Sequence, residues 1–74
     1  MNKLGRKQIS EIVNKLENIK SDLEFMQEDE ESKFDAMPEG IQESEKGDAI
    51  QEAIDNISSA VDSIEEAIDS LNEI

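Results

Sequence analysis

Carboxylates are the only chemically reactive side chains that this sequence supplies in quantity. The 74 residues include 20 Asp and Glu against seven Lys and Arg, with no His and no Cys. Without a thiol or an imidazole, disulfides, most zinc sites and nucleophile–His catalysis are excluded. What remains is carboxylate chemistry: cation binding, general acid–base catalysis, or electrostatic attraction to a basic partner.

The densest acidic run, Glu28–Asp35, does not have the pattern of a cation site. A calcium loop alternates oxygen ligands around a glycine at its sharp turn, and the stretch Asp29–Glu43 lacks that spacing. Acid–base catalysis by two carboxylates needs a shaped pocket, which a chain of this length scarcely provides. We therefore expect no metal site, no cofactor and no catalytic residue, and we do not expect an enzyme.

The elements that position these acids follow from a seven-residue repeat in the last third of the chain. Ala53–Ile57, Ala60–Ile64 and Ala67–Leu71 are three copies of one pattern, with apolar residues three and four apart. This spacing predicts a helix over about residues 48–74 that packs against other helices. Its alanine column makes the apolar face wider than a two-stranded seam needs, which favours two neighbouring helices. The expected core and oligomer face is Ile50, Ala53, Ile54, Ile57, Ala60, Val61, Ile64, Ala67, Ile68 and Leu71.

A second apolar series predicts an earlier helix over about residues 8–35. Its core residues are expected to be Ile9, Ile12, Leu16, Ile19, Leu23 and Met26, with Val13 widening the apolar stripe and Phe25 flanking the core. The series is interrupted at Glu30 and Lys33, yet residues 8–36 contain no Gly or Pro, so we expect helix to persist to Asp35. The segment 36–47 is the expected turn, because Pro38 cannot continue a helix from within.

These elements predict an all-α fold in a single domain, residues 1–74: an antiparallel, coiled-coil-like hairpin of two helices. A chain this short buries only about 60% of its unfolded surface, and it has no disulfide to reinforce it. We therefore expect two hairpins to form a homodimeric four-helix bundle. An extended coiled coil through both segments is the alternative, and Pro38 argues against it.

The second helix also carries an acidic stripe, which is the predicted partner-binding surface. Residues 48–74 hold eight acids and no base. The stripe comprises Asp48, Glu52, Asp55, Asp62, Glu66, Asp69 and Glu73. It is about 38 Å long, and neighbouring charges are about 5–6 Å apart, a spacing comparable to that of phosphates along a DNA strand. The functional interpretation is nucleic-acid mimicry; the alternative is that the acids only keep the protein in solution.

The net charge of −13 repels nucleic acid and anionic membranes and attracts basic protein surfaces. No apolar run approaches the roughly 20 residues needed to cross a bilayer, and the N-terminal basic residues are not followed by a signal-peptide core. We expect a soluble cytoplasmic protein whose partner is a protein with a basic surface. Direct contact with nucleic acid or with a membrane is not expected.

The segment Phe34–Gln42, followed by Ser44–Gly47 and the Ala-Ile-Asp heptads, resembles small acidic proteins of phages and prophages of Gram-positive bacteria. The Met-Pro-Glu-Gly turn is the most specific part of this resemblance, which covers roughly residues 8–74. It implies an accessory protein, in the host cytoplasm, that binds and inhibits a host protein such as a defence or DNA-handling enzyme. The alternative function is an adaptor or small chaperone in particle assembly, acting through the apolar helical face.

Overall fold

Two long antiparallel helices form the molecule. A computed structural model describes all 74 residues and contains α1 (Lys3–Asp35), α2 (Glu39–Gln42) and α3 (Glu45–Asn72). α1 packs along α3, and the start of α1 lies beside the end of α3. The predicted all-α helical hairpin is confirmed. It is a rod that measures 58 × 15 × 12 Å.

α1 begins at Lys3, five residues before the predicted start at about residue 8. Asn2 has an extended backbone, and its side-chain oxygen accepts a hydrogen bond of 2.8 Å from the backbone N–H of Gly5. An Asn at this position satisfies one of the free N–H groups of the first turn, so the helix starts there. At the other end, helix persists through the acidic run to Asp35, as predicted.

The turn is shorter than the predicted 36–47 and contains the short helix α2. α1 stops before Pro38, which has no N–H to donate and restricts the backbone of Met37. The side-chain amide of Gln42 then donates a 2.9 Å hydrogen bond to the carbonyl oxygen of Phe34. This bond joins the turn to the last turn of α1.

α3 begins at Glu45, three residues before the predicted residue 48. In its first turn, Gly47 allows a close approach to the preceding turn. Gly47 is buried, and a Cβ at this position would overlap the carbonyl oxygen of Gln42. Its φ is negative, so the residue is needed for space rather than for an unusual backbone conformation. Ser44 occupies the position before the helix, but its hydroxyl donates to the carbonyl of Ile41 instead of capping α3.

α3 presents an uninterrupted apolar seam to α1. Ile54, Val61 and Ile68 are its buried residues, at 6–7% exposure. Four further seam residues are half-buried: Ile50, Ile57, Ile64 and Leu71. Together with Val13 of α1, the three buried side chains make up the whole buried hydrophobic core.

α1 presents a different face to α3 from the one predicted. From Ile9 onward, its least exposed positions are Ile9, Val13, Leu16, Lys20, Leu23, Gln27, Glu30 and Phe34. The prediction that Ile12, Ile19 and Met26 lie in the core is wrong, since they are 45%, 48% and 54% exposed. The prediction for Phe25 is also wrong, because this side chain is 72% exposed.

The physical reason is that α1 has three apolar columns, whereas the seam of a two-helix hairpin uses only two. The column of Val13 and Phe34 also contains Lys20 and Gln27, which made it a poor candidate for the core. This column nevertheless faces α3. The arrangement places Val13 in the core and lets the ammonium of Lys20 reach the carboxylate of Glu65 at 2.9 Å.

Candidate functional site

One flank of the α1–α3 seam brings carboxylates from both helices together. Glu17 and Lys20 of α1 share a groove with Glu65 and Asp69 of α3. Towards the turn, Glu31 of α1 shares a second groove with residues of α3. The antiparallel pairing therefore places the acids of α1 on the same flank as the acids of α3.

The predicted acidic stripe lies on α3 beside this flank. Each of its four aspartates, Asp48, Asp55, Asp62 and Asp69, directly follows a buried residue of α3. Successive helical residues are separated by about 100°, so these carboxylates lie between the flank and the outer surface of α3. All seven stripe residues are exposed, and none is ion-paired. Asp55 accepts a 3.3 Å hydrogen bond from the side chain of Gln51, which carries no charge.

Sequence reasoning missed the contribution of α1 to this surface. Glu17, Glu24 and Glu31 recur every seven residues, each four positions after a seam residue, and all three are exposed. The signal that identifies them is the register in which Val13, Lys20 and Gln27 face α3. We call the combined set the anionic side: Glu17, Glu24, Glu31, Asp48, Glu52, Asp55, Asp62, Glu66, Asp69 and Glu73.

The anionic side has nearly the linear charge density of a nucleic-acid strand. Ten carboxylates over about 38 Å give about one charge per 4 Å of axis, against about 3.4 Å for one DNA strand.

Two lysines lie near the anionic side. Lys20 is the cation in the groove that Glu17, Glu65 and Asp69 line, and the hydrogen bond with Glu65 raises the pKa of Lys20. Lys33 is engaged near the turn, where hydrogen bonds with Glu30 and Asp29 raise its pKa. Neither lysine forms an ion pair with any of these ten carboxylates.

The carboxylates are spread along a surface and are not gathered into a pocket. Nowhere do three of them converge closely enough to hold a metal ion. None of the helices is both long enough and apolar enough to cross a bilayer.

The opposite flank of the seam is apolar. There α1 exposes Ile12, Ile19 and Met26. The members contributed by α3 are Ala53, Ala60, Ala67 and Ile74. We call these seven residues the apolar side. The next column outward on α3 is small and uncharged, and it comprises Ala49, Asn56, Ser63 and Ser70.

The ten residues predicted as the core and oligomer face of the second helix therefore divide between two surfaces. Three are buried in the seam, and four more line it half-buried. Ala60 and Ala67 are exposed and belong to the apolar side, and Ala53 is half-buried at its edge.

Fold and surfaces together define a small helical hairpin that is anionic on one side and apolar on the other. A scan against protein-family models, a search of curated proteins and a search of solved structures each returned no match.

Proposed function

We propose that this chain is a phage-type accessory protein that binds a basic surface of a host protein and inhibits it. The single observation that carries the proposal is the anionic side, where ten exposed carboxylates from two helices form no ion pair. A protein surface that binds the phosphates of a nucleic-acid strand could bind the comparable row of carboxylates on this rod. Occupying that surface is the mechanism of inhibition.

The arrangement of charge favours binding over simple solubility. A solubilising surface ordinarily intersperses both signs, whereas α3 has no Lys or Arg after Lys46. Like charges three and four residues apart, such as Asp62, Glu66 and Asp69, each cost a helix about 0.2–0.5 kcal/mol. The sequence retains these repulsions in both halves of the stripe, and a cationic partner would offset them on binding.

The phage origin and the location in the host cytoplasm are proposals that rest on the resemblance around the Met37–Gly40 turn. The partner would be a protein with a basic surface, for example one that handles DNA or RNA or serves in defence. Attraction between the two surfaces would accelerate their encounter and would weaken as salt screens it.

The test is affinity capture from host lysate with three forms of the protein. The first is the natural chain, and the second carries Asp55→Asn, Asp62→Asn, Glu66→Gln and Asp69→Asn. The control carries the same number of neutralised acids outside the anionic side: Glu11→Gln, Asp22→Asn, Glu39→Gln and Glu43→Gln. We expect the natural and control chains to capture the same nucleic-acid-binding protein, and the second form to lose it.

The captured protein is then purified, and its binding to a labelled duplex is measured with and without the hairpin. Competition that weakens between about 50 mM and 500 mM salt supports mimicry. Equal capture by the variant neutralised on the anionic side, with helicity unchanged by circular dichroism, would show that the acids do not make the contact.

A second candidate function has one observation in its favour, namely the exposure of the apolar side. An assembly adaptor or small chaperone would use this surface to hold a partner helix. Replacing Ala53, Ala60 and Ala67 by Leu would then disrupt the complex more than neutralising the stripe does. Recovery of phage structural proteins in the same capture experiment would favour this function.

A further inference from the structure

We infer that the apolar side is covered by a second copy of this chain, with α1 of each hairpin packed on α3 of the other. The inference specifies the proposed homodimer and does not depend on the anionic side. The first support is area, because the hairpin exposes 5533 Å². A globular monomer of its mass exposes about 4,600 Å², so the hairpin exposes about 900 Å² in excess. A standard specific interface buries about 800 Å² per partner.

The apolar side is large enough to supply such an interface. From Ala53 to Ile74 it is about 32 Å long, and two adjacent helices are about 20 Å wide. A second copy seated on it would cover about 640 Å² on each partner in projection, or about 1,300 Å² in total, which lies within the range of specific complexes.

The shape of the apolar side is complementary to itself. Lys20 pairs with Glu65, so Ile19 lies within about one residue's rise of the height of Ala67, and Met26 likewise of Ala60. Each hairpin therefore has a ridge of large side chains on α1 beside a valley of alanines on α3.

A two-fold axis parallel to the helices places the ridge of one copy in the valley of the other at matching heights. Packing large residues against small ones fills the interior of the resulting bundle. A two-fold axis perpendicular to the helices would instead stack Ile19 on its own copy and leave the alanines facing each other across a gap.

The distribution of charge allows this contact despite −13 on each chain. On α3, the apolar side and the column next to it carry no charge between Ala49 and Ser70. The carboxylates of the anionic side belong to the opposite flank and to the outer surface of α3. On α1, the column next to Ile12, Ile19 and Met26 holds Lys15, Asp22 and Asp29. The centre of the contact would therefore be uncharged, with these three residues at its edge, and both anionic sides would stay exposed.

The first experiment measures the mass of the full chain by light scattering over a range of concentrations. We expect twice the 8.3 kDa of one chain, and a shift to 8.3 kDa in Ala60→Glu. The adjacent Ser59→Glu adds the same charge on the outer face of α3 and should leave the dimer intact. We expect Ala60→Glu to weaken dimerisation at least tenfold, since it places an unpaired charge in an apolar interface. A monomeric natural chain, or a dimer unaffected by Ala60→Glu, overturns the inference.

Cross-linking tests the arrangement without relying on a disruptive variant. The natural chain has no cysteine, so Ile19→Cys and an affinity-tagged Ala67→Cys can be mixed and treated with a short bismaleimide. A product that joins the two different chains supports the proposed packing. Efficient self-linking of Ile19→Cys would show that the axis is perpendicular to the helices, and the absence of any linked product would contradict the interface.

Salt separates this inference from the proposed function. Screening reduces the repulsion between two anionic copies, so dimerisation should strengthen with salt, whereas binding to a basic partner should weaken. Loss of one property with retention of the other identifies which proposal has failed.

Discussion

The two long helices make unequal contributions to the hairpin. α3 has an apolar residue at every seam position from Ile50 to Leu71. α1 interrupts its seam with Lys20, Gln27 and Glu30, and it exposes three large apolar residues on the apolar side. The large apolar residues of α3 are thus concentrated in the seam, whereas those of α1 are divided between the seam and the apolar side.

This difference shows that the hairpin leaves a large part of the apolar surface of α1 outside its seam. If α1 had only to pack against α3, we would expect Ile12 and Ile19 in the seam and Lys20 outside it. The observed distribution is typical of a helix that contacts two neighbours. The expected consequences differ in size, and the substitutions below test them from the largest to the smallest.

The largest effect is expected at the start of α3. Gly47→Ala places a methyl group against the backbone of Gln42, which cannot move aside as a flexible side chain would. We expect a loss of about 3 kcal/mol in the free energy of unfolding, at the upper end of the range for overpacking. Urea denaturation followed by circular dichroism measures it. Gly40→Ala is the control, because no atom lies within 4 Å of the added group, and it should not destabilise the protein.

Truncating one seam residue of α3 and one exposed residue of α1 tests the comparison directly. Ile54→Ala removes a buried side chain and should cost about 2.5 kcal/mol at any protein concentration. Ile19→Ala removes a half-exposed side chain, and its cost should appear only at concentrations where the dimer forms. Unfolding is measured at a low and a high protein concentration. Equal costs at both concentrations for Ile19→Ala would mean that this residue stabilises the single hairpin.

Making the seam of α1 resemble that of α3 should stabilise the hairpin. Lys20→Leu replaces a half-buried lysine side chain with one that the seam favours. The ion pair with the exposed Glu65 is a small loss, so we expect a net gain in stability. The melting temperature is the readout. A lower melting temperature would show that the Lys20–Glu65 pair outweighs apolar contact at this position.

The same lysine predicts a response to alkaline pH. The folded pKa of Lys20 is raised from 10.5, chiefly by the hydrogen bond with Glu65. Its stabilising contribution is therefore complete below pH 10.5 and is lost as the pH rises through the folded pKa. Melting curves from about pH 9 to about pH 12 should show a smaller alkaline decline in Lys20→Leu than in the natural chain. Lys33 remains in both proteins, and its raised pKa contributes the same sign to each.

The smallest effect per interaction is expected on the anionic side. Neutralising Asp55, Asp62, Glu66 and Asp69 removes several repulsive pairs, each worth about 0.2–0.5 kcal/mol, and should raise the free energy of unfolding. The gain should disappear at about 500 mM salt, where exposed charges are screened. A large loss of helicity instead would mean that these acids have a structural role.

The helices could be predicted from the sequence because their apolar periodicity is strong and Pro38 allows only one break. The register of α1 could not be predicted, because its three apolar columns permit two seams. The choice between them depends on contacts made across the hairpin, in particular between Lys20 and Glu65. The early start of α1 was missed because Asn2 precedes the apolar series.

The acidic stripe could be predicted as a set of residues, since a helical period places its seven members on one surface. Its extension onto α1 could not, because Glu17, Glu24 and Glu31 join it only in the observed register. The role of Gly47 was likewise hidden, since its close contact with Gln42 arises from the packing of α2 on α3.

The antiparallel pairing also brings both chain termini to the same end of the rod. Arg6 and Ile9 lie beside Leu71 and Ile74, and the turn at Pro38 is at the far end of a molecule 58 Å long. Anything joined to either terminus would therefore lie at the opposite end of the rod from the turn, and the anionic side would lie between them. A tag or a surface attachment at Met1 would leave most of the anionic side accessible to a partner.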